Sequence, residues 1–278
     1  MAKRPAPGPS LFFRLLLFSA LLLSLGGCRN ASEDQRTLIV AAAISLRPVL
    51  SELESAFEAE HPGVDLVLHF ASSGSLSLQI RNGAPIDVFC TAHPRHMQLL
   101  EESGQVDSGQ IRELARNRLV LAWSPSGRDC FEEDLTRFDP EAAFRLLLDP
   151  CIERIAVGEP VAVPVGTYAD EVLAAYQIRE ALDGRRILAR DALQIRTYLA
   201  NDRAQAGILY RTDARRLPSG TPSQLVPEST HQPIRYLAAP VKAGPAPELA
   251  AAYIDFLFRP QARRHFEQAG FQILNSEW

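Results

Sequence analysis

Ser45 follows a short apolar run, Thr37 to Ala43, and precedes Val49, Leu50, Leu53 and Phe57, which recur at helical spacing. A serine at such a strand-to-helix turn serves as an N-cap. It leaves first-turn N–H groups facing outward with the helix dipole behind them, a seat for an anion. A second seat of the same kind is read at Ala71-Ser72-Ser73-Gly74-Ser75, where Gly74 would let backbone approach a ligand closely. Serine caps many helices that bind nothing, so each turn alone carries little. The pair carries more, because the two turns follow neighbouring strands and would open on the same edge of a sheet.

Other chemistries have weaker support. The mature chain holds no G-x-S-x-G, no H-E-x-x-H and no P-loop, so no enzymatic activity is expected. Cys90, His93 and His96 have ligand-like spacing, but such clusters recur by chance, and no resident metal or cofactor is expected. The chain has 278 residues, 46% apolar and 22% charged, which is ordinary for a globular protein. Its 20 prolines oppose a long coiled coil, and a formal charge of -4 without a basic cluster opposes nucleic-acid binding.

The elements that must position these residues alternate. After the first strand and helix, Val64 to Phe70 reads as a strand, Leu76 to Arg81 as a helix stopped by Asn82-Gly83, and Ile86 to Cys90 as a strand. A helix around Met97 to Ser103 and a strand from Leu119 to Trp123 follow. A second group continues with a helix from Glu141 to Leu148, a strand from Arg154 to Val157, helices at Tyr168 to Ile178 and Ala192 to Ala200, and a strand from Ala206 to Tyr210. Pro233 to Val241 returns as a strand before two closing helices, Ala246 to Phe258 and Pro260 to Ala269. The alternation predicts an α/β protein of two lobes, each a mixed, mainly parallel sheet flanked by helices, joined by a two-strand hinge around a cleft. The lobes are expected at 37–120 with 238–278, and at 121–237, with crossings near Leu119 to Pro125 and Ile234 to Val241.

Ahead of them, Lys3, Arg4 and Arg14 form a positive segment before an uncharged Leu-rich stretch, Leu15 to Leu25, too short to span a bilayer. Leu25-Gly26-Gly27-Cys28 resembles a lipobox, so residues 1–27 are expected to be a lipoprotein signal peptide and Cys28 the lipidated residue. Residues 28–36 would be a polar tether, and removal of three positive charges takes the mature chain from -4 to -7. The expected location is the periplasmic or cell-surface side of a membrane, held by the lipid. In that oxidising compartment Cys90, Cys130 and Cys151 cannot all pair within the chain. Cys90 ends an apolar run and reads as a small buried hydrophobe, which favours a Cys130–Cys151 disulfide over the other pairings.

Ile39-Val40-Ala41-Ala42-Ala43-Ile44-Ser45-Leu46, then Phe70-Ala71-Ser72-Ser73-Gly74-Ser75, then Gly83-Ala84-Pro85-Ile86-Asp87-Val88-Phe89 resemble the periplasmic molybdate-binding proteins of ABC transporters. Later blocks agree in order: Asn117 in Ala115 to Leu121, Glu159 and Pro160, Val163-Pro164-Val165-Gly166-Thr167-Tyr168, Gly207-Ile208-Leu209-Tyr210 and Pro260 to Phe266. The resemblance spans about Leu38 to Phe271. It implies the type II periplasmic binding protein fold and a tetrahedral oxyanion held without counter-ions.

By position, the resemblance assigns the ligand donors to Ser45, Ser73, the Val165 N–H, the Ile195 N–H and Tyr210, with Ile195 the least secure because the stretch to Tyr210 reads as shortened. It implies molybdate or tungstate as cargo, an inner-membrane ABC permease as partner and a monomeric carrier that closes on its ligand. His93 and Cys90 depart from the family pattern at positions that are not ligands, and Ser126 to Pro150 is the least family-like segment. Sulfate on the same fold is the main rival. A ferric-ion site built on Tyr168, Tyr198 and Tyr210 is a weaker one, since only Tyr210 would reach the cleft.

Overall fold

The computed structural model describes residues 36–273, together with Ala2. The leader, Cys28 and the tether up to Gln35 lie outside the described residues. Arg36, expected as the last residue of the tether, is instead the first residue of a strand.

In the unit that begins at Arg36, β1 (Arg36–Ala43) runs through a single helical turn, Ile44–Leu46, into α1 (Arg47–Glu60). Then follow β2 (Val64–Ala71), α2 (Ser73–Arg81), β3 (Val88–Thr91), α3 (Pro94–Glu102) and β4 (Arg112–Arg116). The next stretch comprises β5 (Leu119–Trp123), α4 (Pro125–Arg128), α5 (Pro140–Arg145), β6 (Ile155–Gly158) and α6 (Pro164–Ala175). It continues with β7 (Arg186–Ala189), α7 (Ala192–Ala200), β8 (Ala206–Tyr210), α8 (Arg211–Ala214) and β9 (Ser223–Leu225). β10 (Arg235–Pro240), α9 (Pro247–Leu257) and α10 (Pro260–Ala269) close the chain.

Two five-stranded sheets result, ordered β2-β1-β3-β10-β4 and β7-β6-β8-β5-β9. β1 pairs in parallel with β2 and β3, as β6 does with β7 and β8, while β10 and β5 run antiparallel to their neighbours. The crossings lie at the leading edges of the expected stretches. β5 lies wholly in the second sheet and β10 wholly in the first, so the chain passes between sheets at Asn117 and Arg118 and returns within 226–234. The Asn117 N–H donates to the Ile234 carbonyl at 3.3 Å, which sets the two crossing segments side by side.

Local chemistry fixes where helices begin. Pro164 stands at the first position of α6, where the missing N–H costs nothing, so α6 starts four residues before the expected Tyr168. Gly158 at the end of β6 and Gly166 in the first turn of α6 touch backbone to backbone. A Cβ on Gly158 would lie 2.7 Å from the Gly166 N, which pins that helix start to its strand. Asp87, in one of the motif blocks, is fully buried and accepts the Ile39 N–H at 2.8 Å and the Ala246 N–H at 2.7 Å. Its role is to tie β1 to the start of the last helical pair.

The larger core cluster runs through both sheets, with Phe57, Trp123, Phe144 and Tyr253 among its largest buried side chains, and a second cluster, with Leu76, Ile80, Phe89 and Met97, fills the other face of the first sheet. Cys130 and Cys151 are bridged, with Cα atoms 5.9 Å apart, and Cys90 is a buried free thiol pushed up to about 12 by desolvation.

Candidate functional site

A small, tightly closed pocket lies between the C-terminal ends of the parallel strands of the two sheets. Ala43, Ile44 and Ser45 reach it from the end of β1, Ala71, Ser72 and Ser73 from the β2–α2 turn, and Ala92 from beyond β3. The second sheet supplies Val163, Pro164 and Val165 at the start of α6, Ala192 at the start of α7, and Tyr210 at the end of β8. None of these residues carries a charge. Larger surface depressions elsewhere, one between Arg128–Leu135 and Gly220–Ser223, one beside Arg36 and Pro245–Leu249, lack this convergence of strand ends.

Four of the five expected donors meet here. Ser45 is 5% exposed, but it is not the N-cap: it sits inside the turn that leads into α1, and its Oγ lies 3.0 Å from the Tyr236 Oη. Ser73 is fully buried at the first position of α2, whose cap is Ser72, with its Oγ accepting the Ser75 N–H. The Ser73 Oγ accepts the Ala92 N–H at 3.1 Å. Val165 occupies the second position of α6, where an N–H has no intrahelical acceptor. Tyr210 is 1% exposed, its hydroxyl buried beside that of Tyr236. The ring of Tyr236 is close by, 6.0 Å between centroids.

Ile195 does not reach the pocket; Ala192 does. Asp191 caps α7 by accepting the Gln194 N–H at 2.8 Å, so Ala192 is the first helical residue. Ile195 falls one turn in, where the Asp191 carbonyl is at the right spacing to accept its N–H. Gly74 also differs from expectation. Its N–H donates to the Ala162 carbonyl at 3.0 Å, so the close approach it permits is to the backbone of the opposite half.

The electrostatics come from dipoles. The helical turn at Ile44, α2, α6 and α7 all begin at the pocket, and each brings the positive end of its dipole. Burial above all, then the neighbouring Tyr236 and Tyr168, raise Tyr210 well above the ordinary phenol range, so it remains a neutral donor. Behind it, Asp213 is raised to about 6 by burial, opposed by Arg196 and Arg216. Beside the pocket His93 stacks on Tyr168 at 4.8 Å, and the Tyr168 Oη donates to the Ala92 carbonyl at 3.4 Å. Burial, with Arg95 nearby, lowers His93 to about 4, and His96 is lowered to about 4 by burial, His93 and Arg95.

Tyr198 is half-buried on α7 and absent from the pocket wall, which leaves a three-tyrosine ferric site unassembled. Among the described residues no group of three or more His, Cys, Asp or Glu is placed to hold a metal ion, and the His93 Nδ1 already accepts the Arg95 N–H at 3.0 Å.

Two mixed sheets, crossed twice by the chain and enclosing a donor-lined pocket, define the type II periplasmic binding protein fold. The chain belongs to the bacterial extracellular solute-binding protein family, whose model matches residues 38–272, and it is a binding protein rather than an enzyme. It is similar to the molybdate-binding protein ModA of Escherichia coli K12, with 31% identity over 259 residues covering 93% of this chain and 98% of that protein. A Bacillus subtilis 168 protein described as a putative ABC transporter substrate-binding lipoprotein, YvgL, is 28% identical over 269 residues, 94% of this chain and 99% of the other. Among solved structures, the Azotobacter vinelandii periplasmic molybdate-binding protein superposes with a TM-score of 0.73 at 24% identity, covering 86% of this chain and all of that one.

Proposed function

We propose that the chain captures molybdate or tungstate outside the cytoplasmic membrane, as a monomer anchored through Cys28, and delivers it to an ABC permease. The observation that carries the reading is a small uncharged pocket whose polar groups are the buried hydroxyls of Ser45, Ser73 and Tyr210 and the N–H groups at the starts of α6 and α7. Ser45, Ser73, Val165, Ala192 and Tyr210 would hold the oxyanion; the earlier assignment to Ile195 passes to Ala192. Molybdate, tungstate and sulfate carry no proton at neutral pH and only accept hydrogen bonds. Hydrogenphosphate must also donate one, and the pocket wall has no carboxylate to receive it.

Capture would proceed by closure of two lobes, one built on each sheet. The anion exchanges its water shell for fixed dipoles, which act strongly in a site that excludes water. The Gly74–Ala162 and Tyr168–Ala92 hydrogen bonds, each joining one half to the other, would lock the closed form. The E. coli relative's name supports the ligand, and the B. subtilis relative's description supports the transporter and the lipid anchor. Calorimetric titration of the chain from Cys28 onward, carried as Cys28→Ser, with molybdate, tungstate, sulfate and phosphate tests the reading. One-to-one binding of molybdate and tungstate is expected; sulfate alone would replace the ligand, and silence from all four would overturn the proposal.

A further inference from the structure

Tyr168 lies outside the expected ligand set, yet it is fully buried on α6, on the helix that begins at the pocket with Pro164 and Val165, and it reaches across to the first sheet's side. Its Oη donates to the Ala92 carbonyl at 3.4 Å. A carbonyl only accepts, so the direction of this bond is fixed. The Ala92 N–H in turn donates to the Ser73 Oγ at 3.1 Å, the one direction open to a backbone amide. Ala92, itself part of the pocket wall, is thus held between a tyrosine of the opposite half and a serine of its own.

The turn that carries Ala92 is stiff. The Thr91 Oγ1 donates to the His93 carbonyl at 3.0 Å and accepts the His93 N–H at 3.2 Å, which stitches together the residues on either side of Ala92. The phenol ring is fixed as well: His93 stacks on it with centroids 4.8 Å apart, and His231, from the returning segment, meets it edge to face at 5.9 Å. Burial above all raises Tyr168 beyond the ordinary phenol range, so it keeps the proton it donates.

We propose that Tyr168 is a positioning residue for capture: from the second half it holds the Thr91–His93 turn, and through the Ala92 N–H it sets the Ser73 hydroxyl against the anion. The inference rests on the oxyanion reading above and adds a route by which closure completes a donor of the opposite half. Accepting from Ala92 leaves the Ser73 proton available to the ligand. When the halves part, Tyr168 leaves the turn and Ser73 loses that support. When they close the bond re-forms, so the donor set is complete only around a captured anion. A plain latch differs, because it would hold the halves together without regard to Ser73.

The test is a double-mutant cycle on molybdate affinity, with Tyr168→Phe, Ser73→Ala and the pair titrated beside wild type. Tyr168→Phe keeps the ring stack and removes only the hydroxyl, and it should weaken molybdate roughly threefold to tenfold, as for one lost hydrogen bond. In the Ser73→Ala background the same substitution should cost less than about twofold, because residues that act through one another are not additive. Wild-type affinity in Tyr168→Phe overturns the proposal. So does the full loss repeated in the Ser73→Ala background, which marks a latch. Should thermal melts show Tyr168→Phe unfolded, Thr91→Val, which unstitches the turn, takes its place in the cycle with the same expectation and the same refutation. A wild type that binds no oxyanion removes the functional reading itself. A wild type that binds molybdate, with losses that add, removes only the positioning role.

Discussion

The Gly74 amide donates to the Ala162 carbonyl, and a Cβ on Gly74 would stand 2.6 Å from that oxygen and 2.7 Å from the Ala162 Cα. Gly74 lies on α2, between strands of the first sheet, and Ala162 lies between β6 and β7 of the second. Alanine suits the helix better than glycine, so the conflict arises only when the two backbones meet. Gly74→Ala should leave the melting temperature of the empty protein unchanged or raised while weakening molybdate, by roughly 1 to 3 kcal/mol, the usual cost of overpacking. Calorimetry and small-angle scattering with and without ligand check the split. Unaltered affinity would show that the halves need not come so close.

Ser73→Ala removes a hydroxyl whose acceptor side is occupied by the Ala92 N–H. A lost hydrogen bond to a charged partner is worth about 1.5 to 3 kcal/mol. Molybdate affinity should fall accordingly, and a variant that binds like wild type removes Ser73 from the ligand set.

Ala192→Pro deletes one N–H at a first helical position, where proline fits without breaking α7. Molybdate affinity should drop by about 1.5 to 3 kcal/mol with little change in stability. Ile195→Val is the counterpart: it should cost about 1 kcal/mol of stability through a lost methylene and leave affinity intact. Unaltered affinity in Ala192→Pro, read by titration and thermal melts, would remove the Ala192 N–H from the donor set.

The Cys130–Cys151 bridge spans a sequence separation of 21 and closes the segment that packs Phe144 and Leu147 into the core. Loop-closure entropy puts its worth near 3 kcal/mol. Replacing both cysteines by serine should lower the melting temperature by roughly 6 to 12 °C. Neither cysteine lines the pocket, so molybdate affinity should hold.

His93 and His96 are both lowered to about 4, each by burial first. Their neutral forms are favoured in the folded state, so their contribution is intact above the unfolded value near 6.5 and is lost as pH falls toward 4. Asp213, raised to about 6, works in the opposite direction, gaining as pH falls from 6 toward its unfolded value. Two histidines outweigh one aspartate, so the melting temperature should decline on acidification from 6.5. His93→Asn keeps an N-cap acceptor for Arg95 without a titrating ring, and should flatten the decline. An unchanged slope would place the acid sensitivity elsewhere.

The apolar runs that alternate with helical spacing carry most of the architecture, because β1, β2, β5, β8, α1 and α7 bury their patterned faces. β4, β7 and β9 escape such a reading: the first is Arg-Glu-Leu-Ala-Arg, the second exposes Leu188 and the third has three residues, so none shows a buried run. Asp191 with Gln194 three residues on is a helix-start signal present in the sequence, and it would have directed attention to Ala192. Tyr236 offers no comparable signal. It looks like any strand residue, and its partner Ser45 is 191 positions away, so only the paired sheets bring them together.

A pocket wall without an ionisable acid or base other than a phenol held neutral has an accounting consequence at the level of the whole molecule. Uptake of a dianion there need neither release nor bind protons, so affinity should stay level with pH wherever the fold is intact. The loaded carrier then bears the undiminished negative charge of its cargo. Full and empty molecules should then differ in electrophoretic mobility by the charge of the anion alone.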